Sequence, residues 1–235
     1  MDAICCPMTG KKSAAKPVFV FDLDGTLIDS VYQHVLAWRE ALETLGVELS
    51  NWKIHRRIGM SGGLIIHAFT RDTGHKITTA EAEQLQKLHG EAYSRRQKEV
   101  RLLPGAKELL GGLDKAKLKW AIATSGKRDK AQFALDMLGI GDDVPVITRD
   151  EVEHAKPAPD LFVAAAEKVG VDLADCVVVG DSVWDLLAAR RARALGVGLL
   201  SGGYGDEELY RAGAYRVYAD PADLLANLDE VGVQV

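Results

Sequence analysis

Cysteine is scarce in this sequence, and long apolar runs and an excess of basic charge are missing altogether. Only 3 of the 235 residues are cysteine: Cys5 and Cys6 stand side by side near the start, and Cys176 heads an apolar run. Adjacent cysteines rarely bridge each other, no C-x-x-C pair occurs, and Cys176 has the setting of a small core hydrophobe. A disulfide framework and a cysteine zinc site are therefore not expected, and a reducing, cytoplasmic setting is. No apolar run approaches the roughly 20 residues that a membrane helix needs. The formal net charge of -5 has the wrong sign for a nucleic-acid partner. Repeats and low-complexity segments are also absent. Residues 1–16 mix Lys, Ser, Gly and Pro without a continuous apolar segment, which predicts a flexible N-terminal extension rather than a secretory signal.

What is present begins with Val18-Phe19-Val20-Phe21, which runs directly into Asp22-Leu23-Asp24-Gly25-Thr26. Such an apolar run predicts a strand buried on both faces. Two carboxylates at its end need compensation, because like charges about 4 Å apart cost roughly 4 kcal/mol at an effective dielectric of about 20. A cation, a proton or a chemical task must sit at that strand end.

The rest of the chain alternates. Asp29 or Ser30 can cap a helix carrying Val31, Val35, Trp38, Leu42 and Leu45 at helical spacing. From there to about Val100 no strand is expected: a loop over Arg57–Gly63 leads into a short apolar helix through Phe69, and Thr79–Lys98 forms a long polar helix. Strands are then predicted over Leu118–Ala123, Val144–Thr148, Cys176–Val179, Leu195–Leu200 and Tyr215–Tyr218, with helices between them. This order predicts an α/β fold, a Rossmann-like parallel sheet core with an inserted helical domain. The core is expected over 17–29 and 102–235 and the insertion over 30–101. Ligands of such sheets bind beyond the carboxyl ends of the strands. Asp22, Asp24, Thr124, Asp181 and Asp185 follow buried strands there, and Lys156 lies in the loop after the third.

These motifs resemble, in order and spacing, those of the haloacid dehalogenase-like superfamily. Asp22-Leu-Asp24-Gly-Thr is similar to its first motif, Thr124-Ser125 to its second, Lys156-Pro-Ala-Pro-Asp160 to its third, and Gly180-Asp181-Ser182-Val-Trp-Asp185 to its fourth. The resemblance implies that Asp22 is a nucleophile and Asp24 the acid/base that protonates the leaving group and later activates water. It implies a Mg²⁺ site made from Asp22, the backbone carbonyl of Asp24, Asp181 and Asp185, the last bound directly or through the outer shell. Thr124, Ser125 and Lys156 would hold the phosphoryl oxygens. Four carboxylates offset by one divalent ion and Lys156 leave about one negative charge, so phosphate should bind poorly without the metal.

An acid at Asp24 resembles the phosphatase and phosphomutase branches, since dehalogenases expel a halide that needs no proton. The inserted helices resemble the helical cap placed after the first motif. The implied activity is hydrolysis of a small phosphorylated metabolite, phosphoglycolate-like or a sugar phosphate. A β-phosphoglucomutase-like mutase is the enzymatic alternative, and a catalytically silent phosphometabolite-binding module the alternative of another class. Gly62 stands where the mutase carries an arginine, which counts against it; Arg56 or Arg57 is the alternative grip, though both are expected first as solvated charges on the cap. His34 resembles a histidine that faces the cleft in sugar-phosphate enzymes, and it reads equally well as a cap histidine with no chemical task. His55, His67, His75, His89 and His154 show no metal-ligand spacing, and Ser201–Gly205, which follows a strand end, has two readings, a segment that lines the site or a flexible turn, the second being favoured. Neither nucleic acid nor membrane is expected as a partner, and the chain is expected as a monomer or weak homodimer.

Overall fold

The computed structural model describes residues 16–233, so Cys5, Cys6 and nearly all of the expected N-terminal extension lie outside the described residues. The chain enters the fold at β1 (Val18–Phe21), which is buried along its whole length. A two-residue strand, β2 (Ile28–Asp29), leads into four helices: α1 (Val31–Thr44), α2 (Asn51–His55), α3 (Gly62–Thr73) and α4 (Thr79–Arg96). The return is made by β3 (Arg101–Leu102), which pairs antiparallel with β2 in the register Ile28↔Leu102 and Asp29↔Arg101.

Beyond it come α5 (Ala106–Lys115), β4 (Trp120–Ala123), α6 (Arg128–Leu138), β5 (Val146–Ile147), α7 (Asp160–Val169) and β6 (Cys176–Gly180). The chain finishes with α8 (Val183–Arg191), β7 (Leu195–Leu199), α9 (Asp206–Ala212), β8 (Ala214–Tyr218) and α10 (Pro221–Ala226). Six strands form one parallel sheet in the order β5-β4-β1-β6-β7-β8, an α/β fold of the expected kind.

Strand periodicity divides the core into two layers. Phe19, Phe21, Ile122, Val177 and Val179 face one cluster with Leu109 and Leu113 of α5, Leu135 of α6 and Leu224 of α10. Val18, Val20, Ala121, Ala123 and Val178 face the other, against Leu161, Phe162 and Ala165 of α7 and Ala188 and Ala189 of α8. Side chains from α1–α4 make a third cluster of their own around Trp38, Leu42, Ile54, Ile66, Phe69 and Leu85. α4 is mostly polar, and its start is set by a capping box in which Thr78 and Glu81 each satisfy the other's backbone N–H.

Three features depart from expectation. The β2–β3 ribbon is too short to carry a periodic signal, and α2 and α9, of five and seven residues, are likewise below the length at which periodicity speaks. Ser30 does sit at the N-cap of α1, but its side chain makes no cap bond. Its hydroxyl donates instead to Asp24 Oδ1 at 2.6 Å. Among the described residues no helix is long and apolar enough to cross a membrane.

Candidate active site

β1 is central and pairs with β4 on one side and β6 on the other, with Phe21 opposite both Ile122 and Val179. Asp22, Thr124 and Asp181 therefore leave the sheet at nearly the same level. Backbone bonds hold the first two there: Asp22 N–H donates to Val179 O at 2.9 Å and Thr124 N–H to Ile147 O at 3.0 Å. The residues named from sequence converge at this edge. Asp22, Asp24, His34, Thr124, Ser125 and Lys156 line one cavity of about 1000 Å³ between the sheet edge and the helical region. Asp181 and Asp185 are buried below its surface.

Lys156 is the cation that the strand end required. Its side chain is almost wholly enclosed, with Nζ donating to Asp185 Oδ1 at 2.8 Å and lying 2.5 Å from Asp22 Oδ1. The contact with Asp22 is one of charge: that oxygen has no partner in hydrogen-bond geometry. Burial would lower the lysine, but Asp185 and Asp22 more than offset this and hold it above the ordinary lysine range. Asp185 also closes the start of α8, its Oδ2 accepting from the Ser182 N–H at 3.1 Å and the Ser182 hydroxyl at 2.5 Å. Capping the helix and holding Lys156 in place are both duties of this one side chain.

Asp22, Asp181 and Asp185 each offer an oxygen within 4.8 Å of the others, a buried cluster suited to a metal ion. Burial pushes Asp22 up to about 7 against the pull of Lys156, with Asp185 and Asp24 adding repulsion. Asp181 is pushed well above the usual carboxylate range by burial and by the charges of Asp185 and Asp22. One lysine is thus too little for three acids. A surplus of buried negative charge on oxygen ligands is what a hard divalent cation would satisfy.

Asp24 stands apart from this cluster. Both of its hydrogen-bonding partners meet one oxygen: Ser30 Oγ at 2.6 Å and His34 Nε2 at 3.2 Å from Oδ1. Burial would raise this carboxyl, but the His34 imidazole and the bonds from His34 and Ser30 outweigh it and hold it below the ordinary range. Thr124 is buried and its Oγ1 accepts from the Gly126 N–H at 3.0 Å, while Ser125 Oγ donates to Gly59 O at 3.2 Å in the helical region. The loop before α3 thus rests on the sheet edge.

Sequence reasoning missed several contributors. Ser201–Gly205 is no free turn. Ser201 Oγ donates to Gly25 O at 2.6 Å, and a methyl group placed on Gly202 would overlap the Asp181 carboxylate. Gly25, at φ +80°, covers the same carboxylate from the other side, where a Cβ would fall 2.5 Å from Oδ2. His55 joins the helical region to this loop, its Nε2 lying 2.7 Å from Gly202 O. Arg56 and Arg57 are not solvated charges: Arg56 pairs with Glu208 and lies 4.2 Å over the Tyr204 ring, and Arg57 forks onto Asp72 at 3.0–3.3 Å. His89 meets His34 across the cavity wall. The mutual spacing of Asp24 and His34 is visible in sequence; the partners from α4 and the β7–α9 loop arrive only through the fold.

A parallel sheet whose acids collect at two adjacent strand ends, with a helical region spliced in after the first of them, defines a hydrolase class. The chain belongs to the haloacid dehalogenase-like hydrolase family, which it matches over residues 16–193. A solved hydrolase from Pseudomonas syringae is 54% identical and superposes with a TM-score of 0.91, covering 93% of this chain and 100% of that one. Hexitol phosphatase A of Escherichia coli is 32% identical over 186 residues, 74% of this chain and 78% of that protein. A phosphoglycolate phosphatase of Neisseria meningitidis is 32% identical over 193 residues, 80% of this chain and 82% of that protein.

Proposed function

We propose that this hydrolase is a Mg²⁺-dependent, cytoplasmic phosphatase of a small phosphorylated metabolite, a sugar phosphate or a phosphoglycolate-like ester. The observation that carries the reading is the division of labour among the carboxylates. Asp22 sits in a cation-seeking cluster, whereas Asp24 is tied through one oxygen only and keeps the other for a proton. The named relatives, a hexitol phosphatase and a phosphoglycolate phosphatase, support the same substrate class.

In this mechanism an Asp22 oxygen attacks phosphorus, the ester P–O bond breaks, and Asp24 gives its proton to the departing oxygen. Asp24 then takes a proton from water, whose oxygen attacks the aspartyl-phosphate and returns Asp22 as a carboxylate. Thr124, Ser125 and Lys156 hold the phosphoryl oxygens throughout. Asp22, the Asp24 carbonyl and Asp181 would hold Mg²⁺, with Asp185 direct or in the outer shell. When bound, the ion supplies the positive charge that lets a dianionic phosphate approach these acids. The helices of 30–101 act as a cap that closes the cavity to water during the first transfer. A phosphomutase is less supported, because Gly62 offers no grip for a second phosphate and both nearby arginines are engaged elsewhere.

A Mg²⁺-supplemented screen of phosphorylated metabolites, bisphosphates included, tests the reading. Hydrolysis of at least one monophosphate, abolished by EDTA, is expected; activity that requires a bisphosphate activator would favour the mutase instead. Asp24→Asn is expected to lower kcat by about 10²- to 10⁴-fold for alkyl phosphates and least for nitrophenyl phosphate, whose leaving group needs no proton.

Metal binding should also carry a pH signature. The protons that burial retains on Asp22 and Asp181 must leave before the cation is held. Mg²⁺ affinity is expected to rise from about pH 6 to about pH 8, with protons released on binding. Calorimetry in buffers of differing ionisation enthalpy measures both. Folding raises both pKa values, so the stability these groups contribute is complete below their ordinary value of 3.8 and is lost as pH rises through the folded values, about 7 for Asp22. Mg²⁺ should therefore raise the melting temperature more at the higher pH.

A further inference from the structure

The wall of the cavity opposite the sheet is a stack of rings from α1 and α4. The His34 ring lies 3.9 Å from that of Tyr93 at an interplanar angle of 7°, and the His89 ring lies 4.1 Å from that of Trp38 at 14°. The two histidines meet edge to edge, His34 Nδ1 being 3.1 Å from His89 Nε2. The other nitrogen of His34, Nε2, lies 3.2 Å from Asp24 Oδ1. A chain of contacts thus runs from α4 through α1 to the carboxylate that moves the proton, and stacking on each side stops either imidazole from turning out of line.

We propose that His89 is a positioning residue of the acid/base: it fixes the ring of His34 so that Nε2 carries its proton toward Asp24, and through that bond it holds Asp24 with Oδ2 facing the substrate. The proposal rests on the phosphatase reading above. The donor pattern of the chain is determined by its ends. An ionised Asp24 only accepts, so the hydrogen between Asp24 and His34 belongs to His34 Nε2. When that is the only proton on the His34 ring, Nδ1 accepts, and the hydrogen between the two histidines comes from His89 Nε2. Burial keeps His89 well below the usual histidine range, helped by His34 and by Lys130, whose side chain reaches α4 beside Gly90. His89 is therefore a neutral donor in this arrangement rather than a charge.

Oδ1 of Asp24 already receives two bonds, from Ser30 and His34, which assigns the travelling proton to Oδ2. Without the donor from α4, the stacked ring of His34 is free to exchange its tautomer, and the carboxylate loses one of its two tethers for part of the time. Such supporting hydrogen bonds are commonly worth about 10- to 100-fold in activity.

The test compares His89→Phe, which keeps a stacked ring and removes the donor, with His89→Gln, which keeps a donor. For an alkyl phosphate His89→Phe is expected to lower kcat about 10- to 100-fold, and for nitrophenyl phosphate less than about threefold. His89→Gln should recover most of the alkyl-phosphate rate. Nitrogen NMR of labelled histidine should show one His34 tautomer in the wild type and a mixture in His89→Phe. Equal losses for both esters, or an unchanged His34 signal, would overturn the role of His89 while leaving the phosphatase reading intact. A wild type that hydrolyses neither ester would overturn both.

Discussion

Asp22→Asn is expected to abolish phosphate-ester hydrolysis, by at least about 10⁴-fold, without loss of the fold. An amide at this strand end has the shape of the carboxylate and no competence as a nucleophile. The stability expectation is less intuitive and makes the experiment sharper. Folding disfavours the charged form of Asp22, so the neutral amide resembles the protonated state that burial prefers. In EDTA at about pH 8 the variant should melt at or above the wild-type temperature. Residual turnover near the wild-type rate would sink the covalent mechanism. A large fall in melting temperature would instead show that the carboxylate is needed by the fold.

Lys156→Met reverses that pattern. It keeps a long apolar side chain but leaves Asp22 and Asp185 buried without their cation. Breaking a buried ion pair from one side costs about 3–5 kcal/mol, since the surviving charge has no partner. For a chain of this size that is a fall of roughly 6–20 °C in melting temperature. Mg²⁺ should recover part of this loss, because it supplies charge to the same acids, while hydrolysis stays low because the phosphoryl oxygens have lost a donor. Melting curves in EDTA and in Mg²⁺, with and without the substitution, separate the two effects. Identical melting of variant and wild type in EDTA would mean that the ion pairs contribute nothing to stability.

How much of this was readable beforehand follows from where each signal lives. β1, β4 and β6 are short apolar runs that end in polar residues, and the alternation of strands and helices implies which ends lie together. Asp22, Thr124 and Asp181 were legible for that reason. His34 was partly legible, through the resemblance of its surroundings to those of a cleft histidine in sugar-phosphate enzymes. His89 was not: it sits on a polar helix whose sequence looks the same whether it faces water or a cavity, and only the packing of α1 on α4 brings it to His34. Gly202 was hidden for a different reason. A glycine-rich segment has the same composition whether it bends freely or must leave room for a neighbour, and the Asp181 carboxylate that requires the space is supplied from another strand. Ser30 looked like a helix cap and occupies that position, but its hydroxyl is spent on Asp24.

The two-residue ribbon of β2 and β3 has a consequence for protein engineering. The segment between them leaves and re-enters the chain through paired backbones, which in an antiparallel ladder stand about 5 Å apart. A segment with adjoining ends is expected to behave as a cassette: a chimera carrying the corresponding segment of a relative should keep the strands that hold the acids in place, as a melting curve of the chimera would check. The seam of such a graft includes Ala37, Ala92, Tyr93 and Val100, which pack with the main cluster of the sheet, and the contacts of His55, Arg56 and Gly59 with Gly202, Glu208 and Ser125. The carboxylates of the sheet edge and the aromatic wall that faces them are thereby held in separable stretches of one chain.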